Sequence, residues 1–211
     1  MTKSEALDWI KRTKLVPVIR ASSPEAGMNV VRALLQGGID VLEITMTVPG
    51  AVDLIREVAA QFGGKALVGA GTVYDPETAA ACIEAGAQFI VGPCTDIPTI
   101  KFCHEKGVLV APGALTPTEV SAAWAAGADV IKIFPCDAAG GASYLKSLKA
   151  PFPHIPLMPT GGVTLANVND FLNAGAVAVG VGNSLVDPQL IVEGRFGDLT
   201  ERAKAFREAV G

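Results

Sequence analysis

Five times along the chain a glycine is followed at once by a short apolar run. Gly38 leads into Ile39 to Ile44, Gly86 into Ala87 to Val91, Gly107 into Val108 to Ala111, Gly127 into Ala128 to Phe134, and Gly175 into Ala176 to Val181. Each glycine suits the residue just past a helix C-terminus, where a left-handed backbone is cheap only without a Cβ. The opposite punctuation recurs as well. Ser23-Pro24, Asp75-Pro76, Thr116-Pro117 and Asp187-Pro188 each set a capping side chain before a proline at the first helical position, and Thr116 with Glu119 spells a capping box. Strands at Val16 to Arg20, Ala66 to Gly69 and Ile155 to Pro159 complete eight strand-then-helix units. Met1 to Thr13, with Thr2 and Glu5 as a capping box, reads as an extra helix ahead of the first strand.

Runs such as Ala176 to Val181 are apolar on both faces, which is the pattern of parallel strands covered by helices. Eight such units within 211 residues predict an α/β fold, a TIM (β/α)8 barrel with an extra N-terminal helix, forming one domain over residues 1–211. A doubly wound open sheet is the competing architecture and accounts less well for eight units.

Composition narrows the partners. With 17 basic and 21 acidic side chains, a net charge of −4 and no Lys/Arg block, the chain lacks the electrostatic footprint of a nucleic-acid or membrane-surface binder. Lys3, Glu5, Asp8, Lys11, Arg12 and Lys14 leave no apolar core for a signal peptide, so a cytoplasmic location is expected. Four cysteines without a C-x-x-C and two histidines argue against a disulfide framework, a zinc site, or a Cys-His pair. No cofactor or metal is expected. Cys94 and Cys136 read as buried or half-buried bystanders, and His104 as a surface residue.

In a barrel of this kind the chemistry sits where strands end and the following loops begin. Those positions hold Arg20, Glu43 with Thr45 and Thr47, Gly71-Thr72, Gly92-Pro93, Pro112-Gly113, Lys132 with Phe134, Thr160-Gly161-Gly162, and Gly182-Asn183. Strand alternation puts Val130, Lys132 and Phe134 on one face and Ile131 and Ile133 on the other. In a strand buried on both faces the ammonium loses hydration, which favours a neutral amine able to attack a carbonyl. Glu43 has the same placement in the second strand, as a proton shuttle or as an ion-pair partner of Arg20 or Lys132. The glycines of Thr160-Gly161-Gly162 and Gly182-Asn183 let backbone amides close on a phosphate. Substrate contacts are expected from Arg20, Thr72, Pro93, Phe134, Thr160, Gly161, Gly162, Gly182 and Asn183. A phosphosugar isomerase or epimerase on the same barrel would also use a phosphate cup and a glutamate, but it has no need of Lys132.

At these residues the chain closely resembles the class I 2-keto-3-deoxy-6-phosphogluconate (KDPG) and 4-hydroxy-2-oxoglutarate (KHG) aldolases. The likeness runs from about Val16 to Arg207 through Pro17-Val18-Ile19-Arg20, Leu42-Glu43-Ile44-Thr45, Gly69-Ala70-Gly71-Thr72-Val73, Ile131-Lys132-Ile133-Phe134-Pro135 and Pro159-Thr160-Gly161-Gly162-Val163. The resemblance implies Lys132 as Schiff-base lysine, Glu43 as general acid and base, and Thr72 near the substrate carboxylate. It further implies a homotrimer of the Entner-Doudoroff pathway, working without metal on 2-oxo acid and phosphosugar acid substrates, with the phosphogalactonate epimer as an alternative. Two positions depart from the pattern. Thr47 stands where many members carry arginine, which makes Arg20 the candidate carboxylate clamp, and Asn183 stands where a serine beside the phosphate is common.

Overall fold

A computed structural model describes residues 1–211. The elements follow the predicted alternation. After α1 (Lys3–Thr13) come β1 (Leu15–Ile19), α2 (Pro24–Gln36), β2 (Val41–Thr45), α3 (Ala51–Phe62), β3 (Leu67–Gly71), α4 (Pro76–Glu84), β4 (Phe89–Val91) and α5 (Ile97–Glu105). The second half runs β5 (Leu109–Ala111), β6 (Gly113–Ala114), α6 (Pro117–Ala125), β7 (Ile131–Ile133), α7 (Gly141–Lys149), β8 (Leu157–Pro159), α8 (Val168–Asn173), β9 (Val179–Val181), α9 (Pro188–Val192) and α10 (Phe196–Val210).

The caps act as the sequence predicts. Ser23, Asp75, Thr116 and Asp187 each accept a hydrogen bond from a backbone N–H of the first turn, and Thr2 with Glu5 closes a capping box on α1. Gly38, Gly86, Gly107, Gly127 and Gly175 all sit at positive φ.

Parallel pairing runs β5-β4-β3-β2-β1-β9 and, separately, β6-β7-β8. β5 and β6 are two pieces of one stave, interrupted at Pro112, which has no N–H to donate. Closure comes from the Thr160–Gly180 bridge and from Val177 N–H donating to Leu157 O at 3.0 Å. An open doubly wound sheet has no such closure, so the barrel expectation holds.

Alternation along the staves separates two cores. Ile131 and Ile133 join the 51-residue cluster under the helices, while Val130 packs inside the barrel with Val16, Val41, Leu67, Phe89, Leu109 and Met158. Ala6 and Ile10 of α1 belong to this inner cluster, so α1 closes the end of the barrel at which the strands begin. Lys3 pairs with Asp129 at 2.9 Å and Thr13 Oγ1 donates to Asp40 at 2.7 Å, tying the plug to the rim. No helix is long and apolar enough to cross a membrane.

Candidate active site

β2 and β7 each direct one ionisable side chain into the barrel. Glu43, on β2, is 1% exposed, and Lys132, on β7, is 6% exposed. Room for Glu43 comes from β3, because a Cβ at Gly71 would overlap the Glu43 carboxylate. Room for Thr160 comes from β9, where a Cβ on Gly180 would overlap Thr160 Oγ1. Glycine at these two positions is therefore a packing requirement of the polar layer.

That layer is unsatisfied. Both carboxylate oxygens of Glu43 and Thr160 Oγ1 are buried without a hydrogen-bond partner. Buried polar groups left this way in a folded protein mark places where something else supplies the partner. Neither Arg20 nor Lys132 forms the ion pair with Glu43 that the sequence allowed. Burial pushes the Glu43 carboxyl above its ordinary value, against the pull of the Lys132 and Arg20 charges. Lys132 Nζ lies 5.0 Å from the centre of the Phe134 ring, a cation–π distance.

Lys132 opens onto a cavity of about 320 Å³ at the end of the barrel where the strands finish. Arg20 and Val18 form one wall and Phe134 another; the loops Thr160 to Thr164 and Gly182 to Ser184 form the rest. The backbone N–H groups of Gly161, Gly162, Val163, Gly182, Asn183 and Ser184 donate to no acceptor within the protein. Such a wall of free amides suits an oxyanion. Asn167 steadies it by donating to Gly162 O at 2.9 Å and accepting from Thr164 N–H at 2.7 Å. Ser184 Oγ donates to Val163 O, joining the two loops.

Of the residues expected at the site, the structure thus gathers Arg20, Lys132, Phe134, Thr160, Gly161, Gly162, Gly182 and Asn183 around one cavity. Glu43 lies buried beneath it. Thr72 and Pro93 do not line it: both are half-buried at the ends of β3 and β4, Thr72 with φ 62°. Thr47 is exposed, with its hydroxyl 2.6 Å from that of Thr45. Val163, Thr164 and Ser184 also line the cavity and were not expected there; only their places beside Gly162 and Asn183 pointed to them.

Cys136 is buried, as expected, and burial pushes its thiol up to about 11. Cys94 corrects its expectation, because it is exposed on the loop after β4. His104 is exposed, as expected.

Comparison with known proteins gives one consistent answer. The family profile described as KDPG and KHG aldolase matches residues 7–201. The chain is 35% identical over 205 residues to the 2-dehydro-3-deoxy-6-phosphogalactonate aldolase of Escherichia coli, covering 97% of this chain and 100% of that one. It is also 35% identical over 208 residues to the KHG/KDPG aldolase of the same organism, covering 99% and 96%. Among solved structures, the KDPG aldolase of Legionella pneumophila, with pyruvate captured as a covalent carbinolamine, superposes with a TM-score of 0.89 at 28% identity, covering 95% of this chain and 97% of that one. The chain belongs to the KDPG and KHG aldolase family and is a class I aldolase, a carbon–carbon lyase.

Proposed function

We propose that this aldolase cleaves 2-keto-3-deoxy-6-phosphogluconate to pyruvate and glyceraldehyde 3-phosphate, and 4-hydroxy-2-oxoglutarate to pyruvate and glyoxylate, through an imine on Lys132. The observation that carries the reading is a buried amine opening onto a cavity whose wall is six unpaired amides.

The amine of Lys132 adds to the C2 ketone and water leaves, giving a protonated imine. Glu43 removes the proton of the C4 hydroxyl, the C3–C4 bond breaks, and its electron pair enters the imine to give an enamine. The aldehyde departs, Glu43 returns a proton to C3, and water releases pyruvate. A carboxyl held high by burial and drawn down by Lys132 and Arg20 is suited to moving a proton both ways. Arg20 takes the carboxylate as a two-pronged donor. Phe134 flanks the reacting carbons. Thr160, Gly161, Gly162, Gly182 and Asn183 hold the distal end, where the phosphate meets the free amides.

The galactonate epimer is the second reading, since its aldolase matches at the same 35% identity over nearly the whole chain. Pyruvate release from the two phosphorylated epimers and from 4-hydroxy-2-oxoglutarate, measured side by side, is expected to be fastest per unit concentration for the gluconate compound. Preference for the galactonate would transfer the assignment. We further propose that the barrel works as one domain in a cytoplasmic homotrimer. Exposed Tyr74 and Leu165 offer apolar surface for the assembly, and a monomer mass in sedimentation equilibrium would reject the trimer.

The anion wall can be tested at Gly182, where a new Cβ meets nothing within 4 Å, in contrast to Gly162, whose φ is 69° and whose Cβ would overlap Asp137. Gly182→Val therefore fills cavity space without straining the chain. Losing one or two hydrogen bonds to a charged group should raise KM for the phosphorylated substrate by about 10- to 100-fold. Half-saturation of pyruvate trapping by borohydride should stay within about twofold, because pyruvate has no distal group; a rise as large as that in KM would show that the loop serves only the fold. Arg20→Ala should raise the pyruvate concentration needed for half-trapping, again by about 10- to 100-fold. Unchanged trapping in that variant would remove Arg20 from the carboxylate.

A further inference from the structure

Arg20 belongs to two cavities. On one side it lines the catalytic chamber; on the other it lines a slot of about 250 Å³ between the β1–α2 turn, Thr47 and α9. The guanidinium is in no ion pair within the chain. Around it the slot presents the hydroxyl of Ser22 and an apolar wall from Ala21, Pro188, Ile191 and Val192; Thr47 also lines it, but its hydroxyl donates to Thr45 Oγ1, whose own proton goes to Ile19 O. Ile191 is 8% exposed and anchors α9 to the core, whereas Val192 is 83% exposed and holds its apolar side chain at the slot's edge. The acids flanking that segment are both occupied, Asp187 by Arg202 and Glu193 by Gln189 and Arg195.

A free cation beside one available hydroxyl donor, facing a short aliphatic wall, is complementary to a carboxylate with a small branched hydrocarbon tail. We propose that this slot binds short aliphatic carboxylates, with the carboxylate on Arg20 and the tail against Ile191 and Val192. A ligand so placed takes Arg20 from the catalytic cavity and inhibits competitively. The inhibition rests on the reading that Arg20 serves the substrate; the binding does not. A sugar acid lacks the apolar tail, so the slot discriminates against the substrate itself.

The probe is 3-methylbutanoate, with 3-methylbutanamide as its uncharged counterpart. Ligand-observed NMR on the intact protein should show binding of the acid, binding of the amide at least about tenfold weaker, and loss of acid binding in Arg20→Ala. In steady-state cleavage the acid should raise KM and leave kcat unchanged. Val192→Asn replaces part of the aliphatic wall by a neutral amide, adds no carboxylate that could hold Arg20, and touches nothing in the catalytic cavity. It should leave uninhibited turnover at the wild-type level and weaken the inhibition by about three- to tenfold. Equal inhibition of Val192→Asn and wild type would overturn the slot, since the acid would then sit in the catalytic chamber. Equal binding of acid and amide would overturn the role of the Arg20 charge. No binding at tens of millimolar would overturn the proposal outright. Because NMR binding needs no turnover, an inactive aldolase with an occupied slot would sink the proposed function and spare the slot.

Discussion

Lys132→Met should abolish cleavage of every 2-oxo acid substrate, lowering kcat by roughly 10⁴- to 10⁶-fold, as removal of a covalent nucleophile typically does. The variant should fold at least as well as wild type, because an unbranched apolar side chain replaces a buried amine that has no carboxylate partner within ion-pair distance. In wild type, borohydride with pyruvate should inactivate the enzyme and add one reduced pyruvyl group to the peptide carrying Lys132. The informative competitor is Lys149, on α7. Burial lowers its ammonium below the usual lysine range, yet its Nζ donates to Pro153 O at 3.0 Å and Ile155 O at 2.8 Å, outside the barrel. Desolvation would select Lys149; placement inside the barrel at an open cavity selects Lys132. Label on Lys149, or turnover within about a hundredfold of wild type in Lys132→Met, would reject the imine assignment.

The reason Lys132 was legible in the sequence is local. Its neighbours Val130 and Ile131 must go to opposite faces of any strand, and no tertiary detail changes that parity. The glycines after the helices and the four prolines after capping residues were legible for the same reason, since each is a backbone constraint of a few residues. Asp96 escaped notice because its proline, Pro98, stands one place later than in the other caps, although its side chain accepts from Thr99 N–H at 2.8 Å in the same way. Several strands read too long in the sequence: Ala128 to Phe134 reads as one strand, but only Ile131–Ile133 is strand, whereas β3 runs on to Gly71, past the Gly69 at which the sequence reading ends it. Burial continues past the hydrogen-bonded ladder, so hydrophobicity marks the core and not the pairing. What could not be read was distance across the barrel. Whether Glu43 meets Arg20, Lys132 or neither is set by barrel curvature and by the space left at Gly71, and both arise only when distant strands close into a ring. The split between Thr72 and the cavity lined by Arg20 has the same origin.

The absence of a partner for Glu43 leads to a second large effect with two separable readouts. Glu43→Gln keeps the shape of the side chain while removing a proton shuttle, and kcat should fall by roughly 10²- to 10⁴-fold. Stability should move the other way as pH rises. The carboxyl is raised from its ordinary value of 4.5 by burial, so the folded protein holds this proton at pH values where the unfolded chain has released it. Stability contributed by the neutral form is therefore fully present below about 4.5 and is lost as pH climbs through the higher folded value. A glutamine is neutral throughout and does not incur this loss. The difference in Tm between Glu43→Gln and wild type should be smallest near pH 4 and should grow in favour of the variant toward neutral and alkaline pH. Any constant offset from an imperfectly bonded amide cancels when the two profiles are compared. A Tm difference independent of pH would mean that Glu43 finds its compensation within the folded chain. Near-normal turnover would mean that another group, or water, carries the proton. The two outcomes are independent, and together they test whether this acid is kept buried and unpaired, at a cost in stability, so that the substrate can become its partner.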